Sequence, residues 1–308
     1  MLKNVKLLYF FIIVSFFKIF RQKYRKILSF LIVKYPCYRY LFLVFLHSKM
    51  KVIFFKYQGT GNDFIMLDNV KGHYDELSVE NISFLCNRKM GIGADGLIKL
   101  SAKKGYDFEV EYFNADGSQS FCGNGARCSV LFAEKLGLVK GGECSFLAID
   151  GAHKAYINSG IVRLEMLPVT NLEKLNNDFI IDTGSPHFVR FEEKETENII
   201  EFGKEIRYSE RFKEEGINVN VVHLIKDNTI AVQTYERGVE DETLSCGTGV
   251  TACALVFRMK RPEIHRVDVQ TKGGVLSVES DDYVEGIGFK NIWLSGPAKK
   301  VFDGSIEI

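Results

Sequence analysis

The 308-residue chain has no C-x-x-C pair, no acidic residue in its first 49 positions, and no apolar run of the roughly 20 residues that span a bilayer. Each absence excludes something. Without closely spaced cysteines there is neither a structural zinc motif nor a vicinal dithiol of the oxidoreductase kind. Nor does the body carry a basic excess. The leading 49 residues hold ten Lys or Arg, and from Met50 onward 30 basic residues face 39 acidic ones, a net charge of −9. An acidic body lacks the basic stripe of a nucleic-acid binder, so no nucleic-acid partner is expected.

The leading segment alternates apolar and basic blocks. Its first apolar run, 7–17, follows Lys3 and Lys6 as a signal sequence would, but no small-residue cleavage site comes after it. Three readings stay open: a weak membrane anchor, a targeting leader, or upstream sequence translated from a start codon set too early. The sequence Met50-Lys51-Val52-Ile53-Phe54 runs straight into a strand and favours the last. Membrane contact is then expected only if residues 1–49 are real. Of seven cysteines, six lie in the body, at 86, 122, 128, 144, 246 and 253. A chain of this size does not need disulfides, so reduced thiols in a cytoplasm are expected.

What is present is β-rich. Short apolar or alternating runs predict strands at 52–57, 64–67, 108–113, 144–149, 154–157, 162–166, 179–182, 219–223, 230–235, 266–271 and 275–278, punctuated by Gly, Asn and Asp. Helices are expected over 78–88, 124–136, 198–208 and 248–259.

One motif occurs twice. Cys122-Gly123-Asn124-Gly125 opens one helix-like stretch and Cys246-Gly247-Thr248-Gly249 opens another, each with a second cysteine six or seven residues on. The echo implies two similar halves, each presenting a cysteine at a helix N-terminus and together gripping a substrate between them. A helix start has unsatisfied N–H groups and the positive end of the dipole, so it binds a carboxylate. The same field is expected to lower a thiol pKa from about 8.5 toward neutrality. Two such cysteines flanking one carbon can remove a proton from one face and deliver one to the other, inverting configuration without metal or cofactor. Gly123, Asn124, Gly247 and Thr248 are candidates to stabilise the developing enediolate through preorganised N–H donors. Cys128 and Cys253, among apolar neighbours, read as inert core, as do Cys86 and Cys144.

These residues bring a family into view. The body from Met50 onward resembles diaminopimelate epimerase through Gly59-Thr60-Gly61-Asn62-Asp63-Phe64, Gly91-Ile92-Gly93-Ala94-Asp95-Gly96, Phe113-Asn114-Ala115-Asp116-Gly117-Ser118, the two cysteine loops, Gly184-Ser185-Pro186-His187 and Tyr235-Glu236-Arg237-Gly238. The resemblance implies an α+β fold of two pseudo-symmetric domains, 50–165 plus 297–308 and 166–296, each a β-sheet wrapped around a central helix. It implies interconversion of LL- and meso-diaminopimelate on the way to lysine and peptidoglycan precursors, without cofactor, by a homodimer. Cys122 and Cys246 match the family's catalytic pair, with Cys246 the base and Cys122 the acid in the LL to meso direction. Asn62, Asn114, Asn218, Glu236 and Arg237 match substrate-binding positions, and His187 matches a histidine near the thiols. Some members carry Asn where Ser185 stands and Gln where Gly96 stands. Rival readings are a proline or hydroxyproline racemase on the same scaffold, a non-catalytic small-molecule binder, and a thiol–disulfide oxidoreductase, the last disfavoured by the missing C-x-x-C.

Overall fold

A computed structural model describes residues 50–308. The expectations for residues 1–49, Cys37 included, lie outside the described residues. The first and last described residues close on each other, Met50 and Ile308 exchanging backbone hydrogen bonds of 2.8 and 3.0 Å. Residues Ile53–Ile306 form one compact unit, which carries the site.

The internal echo in the sequence is matched by an echo in strand pairing. In the first half, β1 (Lys51–Gly59) and β2 (Asn62–Asp68) are antiparallel, β2 runs parallel to β3 (Gly96–Ser101), and β3 is antiparallel to β4 (Phe108–Asn114). Then β4 runs parallel to β5 (Glu143–Ala148), and β5, β6 (Gly151–Asn158) and β7 (Ile161–Met166) form a meander. After the short β8 (Leu172–Leu175), the same order returns in the second half. β9 (Asp178–Asp182) is antiparallel to β10 (Pro186–Glu192), which is parallel to β11 (Asn218–Lys226), itself antiparallel to β12 (Thr229–Glu236). β13 (Asp241–Thr243) hangs on β12, and β12 then runs parallel to β14 (Arg266–Thr271), followed by a meander of β15 (Gly274–Glu279) and β16 (Ile292–Pro297). The two last meander strands, β7 and β16, pair antiparallel from Ile161↔Pro297 to Met166↔Ile292 and join the halves. β17 (Lys299–Glu307) ends the chain.

Each parallel step needs a crossover, and a helix lies in each of the four. α1 (Val79–Cys86) lies between β2 and β3, α2 (Gly123–Lys135) between β4 and β5, α3 (Ile199–Arg207) between β10 and β11, and α4 (Gly247–Lys260) between β13 and β14. Ser78 starts α1 with a capping box to Asn81, and Asn198 caps α3 through the Glu201 N–H. α2 and α4 are the buried pair. α2 packs on β2, β3, β4, β6 and β7; α4 packs on β9–β12, β14 and β15; and the two helices touch each other. Their sequences suit this, because each is apolar or small all round and not along one stripe.

All four expected helices are present, and each expected strand overlaps an observed one, with ends that differ by up to three residues. Six strands lie outside the sequence expectation: β3, β8, β10, β13, β16 and β17. Among the described residues no helix is long and apolar enough to cross a membrane.

Candidate active site

The residues singled out in the sequence come together at corresponding ends of the repeated strands. Asn62 begins β2 and Asn114 ends β4; in the other half Asn218 begins β11 and Glu236 ends β12. A tight hairpin sets Asn62. Gly59 pairs with Asn62 across a two-residue turn in which both Thr60 (φ 51°) and Gly61 (φ 89°) have positive φ, as the hairpin geometry that suits strand twist requires.

Cys122 and Cys246 are the N-cap residues of α2 and α4, both in extended backbone. The two helix starts approach closely. A methyl group on Gly123 would lie 3.9 Å from the Gly247 Cα, and one on Gly247 would lie 3.3 Å from Asn124 Oδ1. Asn124 bridges the halves, its Nδ2 donating to the Ser245 carbonyl at 2.8 Å and to Asn62 Oδ1 at 3.3 Å. Behind it stands Arg127, fully buried, whose Nη2 donates to Asn124 Oδ1 at 2.9 Å and Thr60 Oγ1 at 3.2 Å.

Around Cys122, the Gly125 N–H reaches Sγ at 3.4 Å and Asn62 Oδ1 lies 3.6 Å from it. Around Cys246, Thr248 Oγ1 lies 3.3 Å from Sγ. That hydroxyl also meets His187 Nε2 at 3.0 Å and Ser185 Oγ at 3.2 Å. The imidazole is completed by Asn220, whose Nδ2 donates to Nδ1 at 3.0 Å and to the Phe188 carbonyl, while Thr234 donates to its Oδ1. Nδ1 is thereby an acceptor, so the proton sits on Nε2 and points at the Thr248–Ser185 pair. Burial, and then the nearby Arg237 charge, drive the His187 pKa down to about 3, which keeps the ring neutral.

The thiol acidities correct the sequence expectation. Helix-start N–H groups do pull both pKa values down, but burial outweighs them. Cys122 is pushed up to about 11 and Cys246 to about 12, with the Glu236 carboxylate adding to both. The helix field offsets desolvation and does not exceed it. The Cys122 charge also raises the cost of ionising Cys246.

The remaining candidates surround the pair. Asn114 holds Ser118 and Ser120 through Nδ2, at 3.0 and 3.2 Å, and accepts from Tyr112. Asn218 donates to Ser185 Oγ and the Pro186 carbonyl and accepts the Arg237 N–H at 2.9 Å. Arg237 Nη1 donates to the Glu215 carbonyl, and burial raises the Glu236 pKa above the usual carboxylate value. An open hollow of about 470 Å³ lined by Lys56, Asp63, Arg88 and Phe302 among others includes neither cysteine.

Comparison with known proteins decides what this arrangement belongs to. The family model described as diaminopimelate epimerase matches residues 54–160 and 179–300. The diaminopimelate epimerase of Flavobacterium psychrophilum is 44% identical over 260 residues, covering 82% of this chain and 99% of that one. That of Aquifex aeolicus is 40% identical over 277 residues, covering 82% and 97%. The chain belongs to the diaminopimelate epimerase family. It is therefore an isomerase with that family's two-domain fold. Distant solved structures share the fold alone: the phenazine biosynthesis protein of the PhzF family from Bacillus anthracis superposes with a TM-score of 0.64 at 11% identity, covering 84% of this chain and all of that one.

Sequence reasoning passes over several residues on which this epimerase-family site depends. Asn220 is within its reach, because Asn218 and Asn220 alternate on β11 and so share a face. Asp95, inside one of the family motifs, hydrogen-bonds Asn62 Nδ2 at 2.6 Å. Arg127 gives no signal, since an arginine one turn into a helix reads as solvated.

Proposed function

We propose that the chain epimerises LL-diaminopimelate to meso-diaminopimelate by a two-thiol mechanism without cofactor. The substrate follows from family membership. The observation that supports the mechanism is the meeting of two cysteine-capped helix starts, each sulfur facing polar donors and both coupled to Glu236. Cys246 takes the α-proton of the LL substrate while Cys122 protonates the opposite face; the roles exchange in reverse. The substrate carboxylate at the reacting carbon docks on the first-turn N–H groups of α2 and α4, from Gly123, Asn124, Gly247 and Thr248, and these donors stabilise the enediolate it becomes as the α-proton leaves. Burial raises both thiols, and the helix-start donors offset part of that rise as the thiolate forms. Asn62, Asn114, Asn218, Glu236 and Arg237 hold the distal amino-acid group, Arg237 as a carboxylate fork and Glu236 as the ammonium acceptor. His187 and Ser185 support Thr248. The lobes are 50–165 plus 297–308 and 166–296, and the protein works as a cytoplasmic homodimer.

Proton NMR of the reduced protein with LL-diaminopimelate in D₂O tests this. Loss of the α-proton signal with appearance of meso product supports it; exchange of proline or hydroxyproline instead, with diaminopimelate inert, overturns the substrate and keeps the mechanism.

A further inference from the structure

We propose that Asp95 is a positioning residue for Cys122: its carboxylate fixes the Asn62 amide with the carbonyl oxygen toward the sulfur, so that Cys122 rests as an S–H donor. The inference rests on the two-thiol mechanism and adds to it the device that sets one thiol's resting state.

Donor logic leaves one orientation for the Asn62 amide. Asp95 Oδ2 can only accept, and it takes Asn62 Nδ2 at 2.6 Å and the Asp63 backbone N–H at 3.1 Å. The carboxylate is itself held by Arg88 Nη2 at 2.6 Å on its other oxygen, and Arg88 grips Asp63 through both Nη groups. The buried Lys56 ammonium closes the network on Asp63 at 2.7 Å. From the opposite side, Arg127 can only donate, and it does so to Asn124 Oδ1. The Asn124 Nδ2 is thereby turned toward Asn62 Oδ1. Two independent chains therefore make Asn62 Oδ1 an acceptor. A sulfur 3.6 Å from that oxygen gains a hydrogen bond as S–H and meets the negative end of a carbonyl dipole as S⁻.

The other groups that act on Cys122 do not provide this polarity. Arg127 and the Asn124 and Gly125 N–H groups favour the thiolate, whereas burial and Glu236 oppose it without offering an acceptor fixed at the sulfur. Tyr112 on β4 and Cys128 on α2 lie within its electrostatic reach. Among these, the Asn62 oxygen is the group that offers a place for a proton. A resting thiol at Cys122 is what delivery of a proton in the LL to meso direction needs. Asp95 cannot alter the reaction's equilibrium, so kcat/KM changes by the same factor in both directions when Asp95 is changed.

The experiment is alkylation of the full chain by iodoacetamide at about pH 8, with the rate at each cysteine read by peptide mass spectrometry. In Asp95→Asn the side chain at position 95 can donate as well as accept, so only Asn124 Nδ2 still orders the Asn62 amide, and the fraction that turns presents N–H to the sulfur. The expected result is an increase of about tenfold in the Cys122 rate, one unit in its pKa, with Cys246 unchanged and Asp95→Glu restoring the original rate. Arg88→Gln removes the ion pair but leaves the Asp95 carboxylate bonded to Asn62 Nδ2 and the Asp63 N–H, and should leave the Cys122 rate within about twofold of the original. An unchanged Cys122 rate in Asp95→Asn, an equal rise at both thiols, or the same rise in Arg88→Gln would overturn the proposal. The unsubstituted chain supplies a second measurement if Asp95→Asn does not fold. Its infrared S–H stretch, assigned to Cys122 by loss in Cys122→Ser, should be present near neutral pH and shifted down by bonding to a carbonyl; an absent or unshifted band overturns the proposal. Failure of the two-thiol mechanism itself would show differently, as Cys122→Ala retaining epimerase activity.

Discussion

Cys122 and Cys246 cap equivalent helices in equivalent halves with closely similar backbone, φ −135° and −112°, ψ 112° and 113°. Their side-chain surroundings are not equivalent. Cys122 faces an amide oxygen locked as an acceptor, whereas Cys246 faces a hydroxyl that can donate to it and that lies 3.0 Å from Nε2 of a neutral histidine. One neighbourhood offers a place for a proton and the other offers a proton. The repeat kept the strand order, the helix starts and the sulfur positions, and it diverged in the residues that polarise the sulfurs. The proposed two-thiol inversion needs two bases in the same geometry and in opposite protonation states, and this division of labour would supply both.

The strongest way to break the comparison is to remove one sulfur at a time. Cys122→Ala and Cys246→Ala should each lower epimerisation by about two to four orders of magnitude, the range for a positioned acid or base. With the LL substrate in D₂O, residual α-proton wash-out should be faster in Cys122→Ala, which keeps the base, than in Cys246→Ala. Equal wash-out would remove the distinction between the halves. A smaller effect should come from Thr248→Val. The Thr248 hydroxyl lowers the Cys246 pKa, so its loss raises that pKa, and the limb of the pH–rate profile that rises with thiolate should move to higher pH. We expect roughly a tenfold loss of kcat, a cost of about one hydrogen bond to a charged group, with Cys122 alkylation unaltered.

Smaller still is the effect of Asn220→Ala, which strips the fully buried His187 of its Nδ1 donor. It should cost about 1–3 kcal/mol in chemical denaturation. His187 also predicts a pH signature. Its folded pKa of about 3 lies below the ordinary value of 6.5, so the unfolded chain binds a proton that the folded ring refuses. Stability is full above about 6.5 and falls as pH drops toward 3, and the His187 ring resonances should not titrate between these limits. Least of all, Cys253→Ala should leave activity intact and cost about 1 kcal/mol for a small buried void, because this thiol lies in apolar core seven residues along α4 from Cys246. A large activity loss there would mean that the second cysteine of each repeat is not inert.

Much of the fold is legible in the sequence because local chemistry determines it. The four helices carry their own caps or glycine-rich starts, and the meander strands alternate cleanly, as in β6, where every second residue is buried. The strands that escape a sequence reading lack that local signature. β3 contains Lys99, buried only because Glu111 on β4 pairs with it at 3.2 Å. β10 begins at a proline and includes His187 and Arg190, whose partners Asn220 and Asp178 are distant in sequence. β17 is polar and largely exposed, and so reads as loop. The same distinction governs the site. Cysteine beside glycine at a helix start can be read from spacing, but the acidity of the thiols cannot. Desolvation depends on how β2, β4 and β12 close over the helix starts, and it reverses the direction that the helix field alone predicts.

Arg127 puts a buried positive charge beneath the two helix starts. Its guanidinium is fully buried, its Nε has no partner, and among the described residues no carboxylate pairs with it; desolvation lowers its pKa to about 10. Folding bears the cost of that charge, and an anion held at the helix starts offsets it. Ligand binding and thermal stability are linked through this residue. A substrate carboxylate should raise the melting temperature more than an equally bulky neutral amide analogue at the same concentration, because neutralising the buried charge tightens its binding.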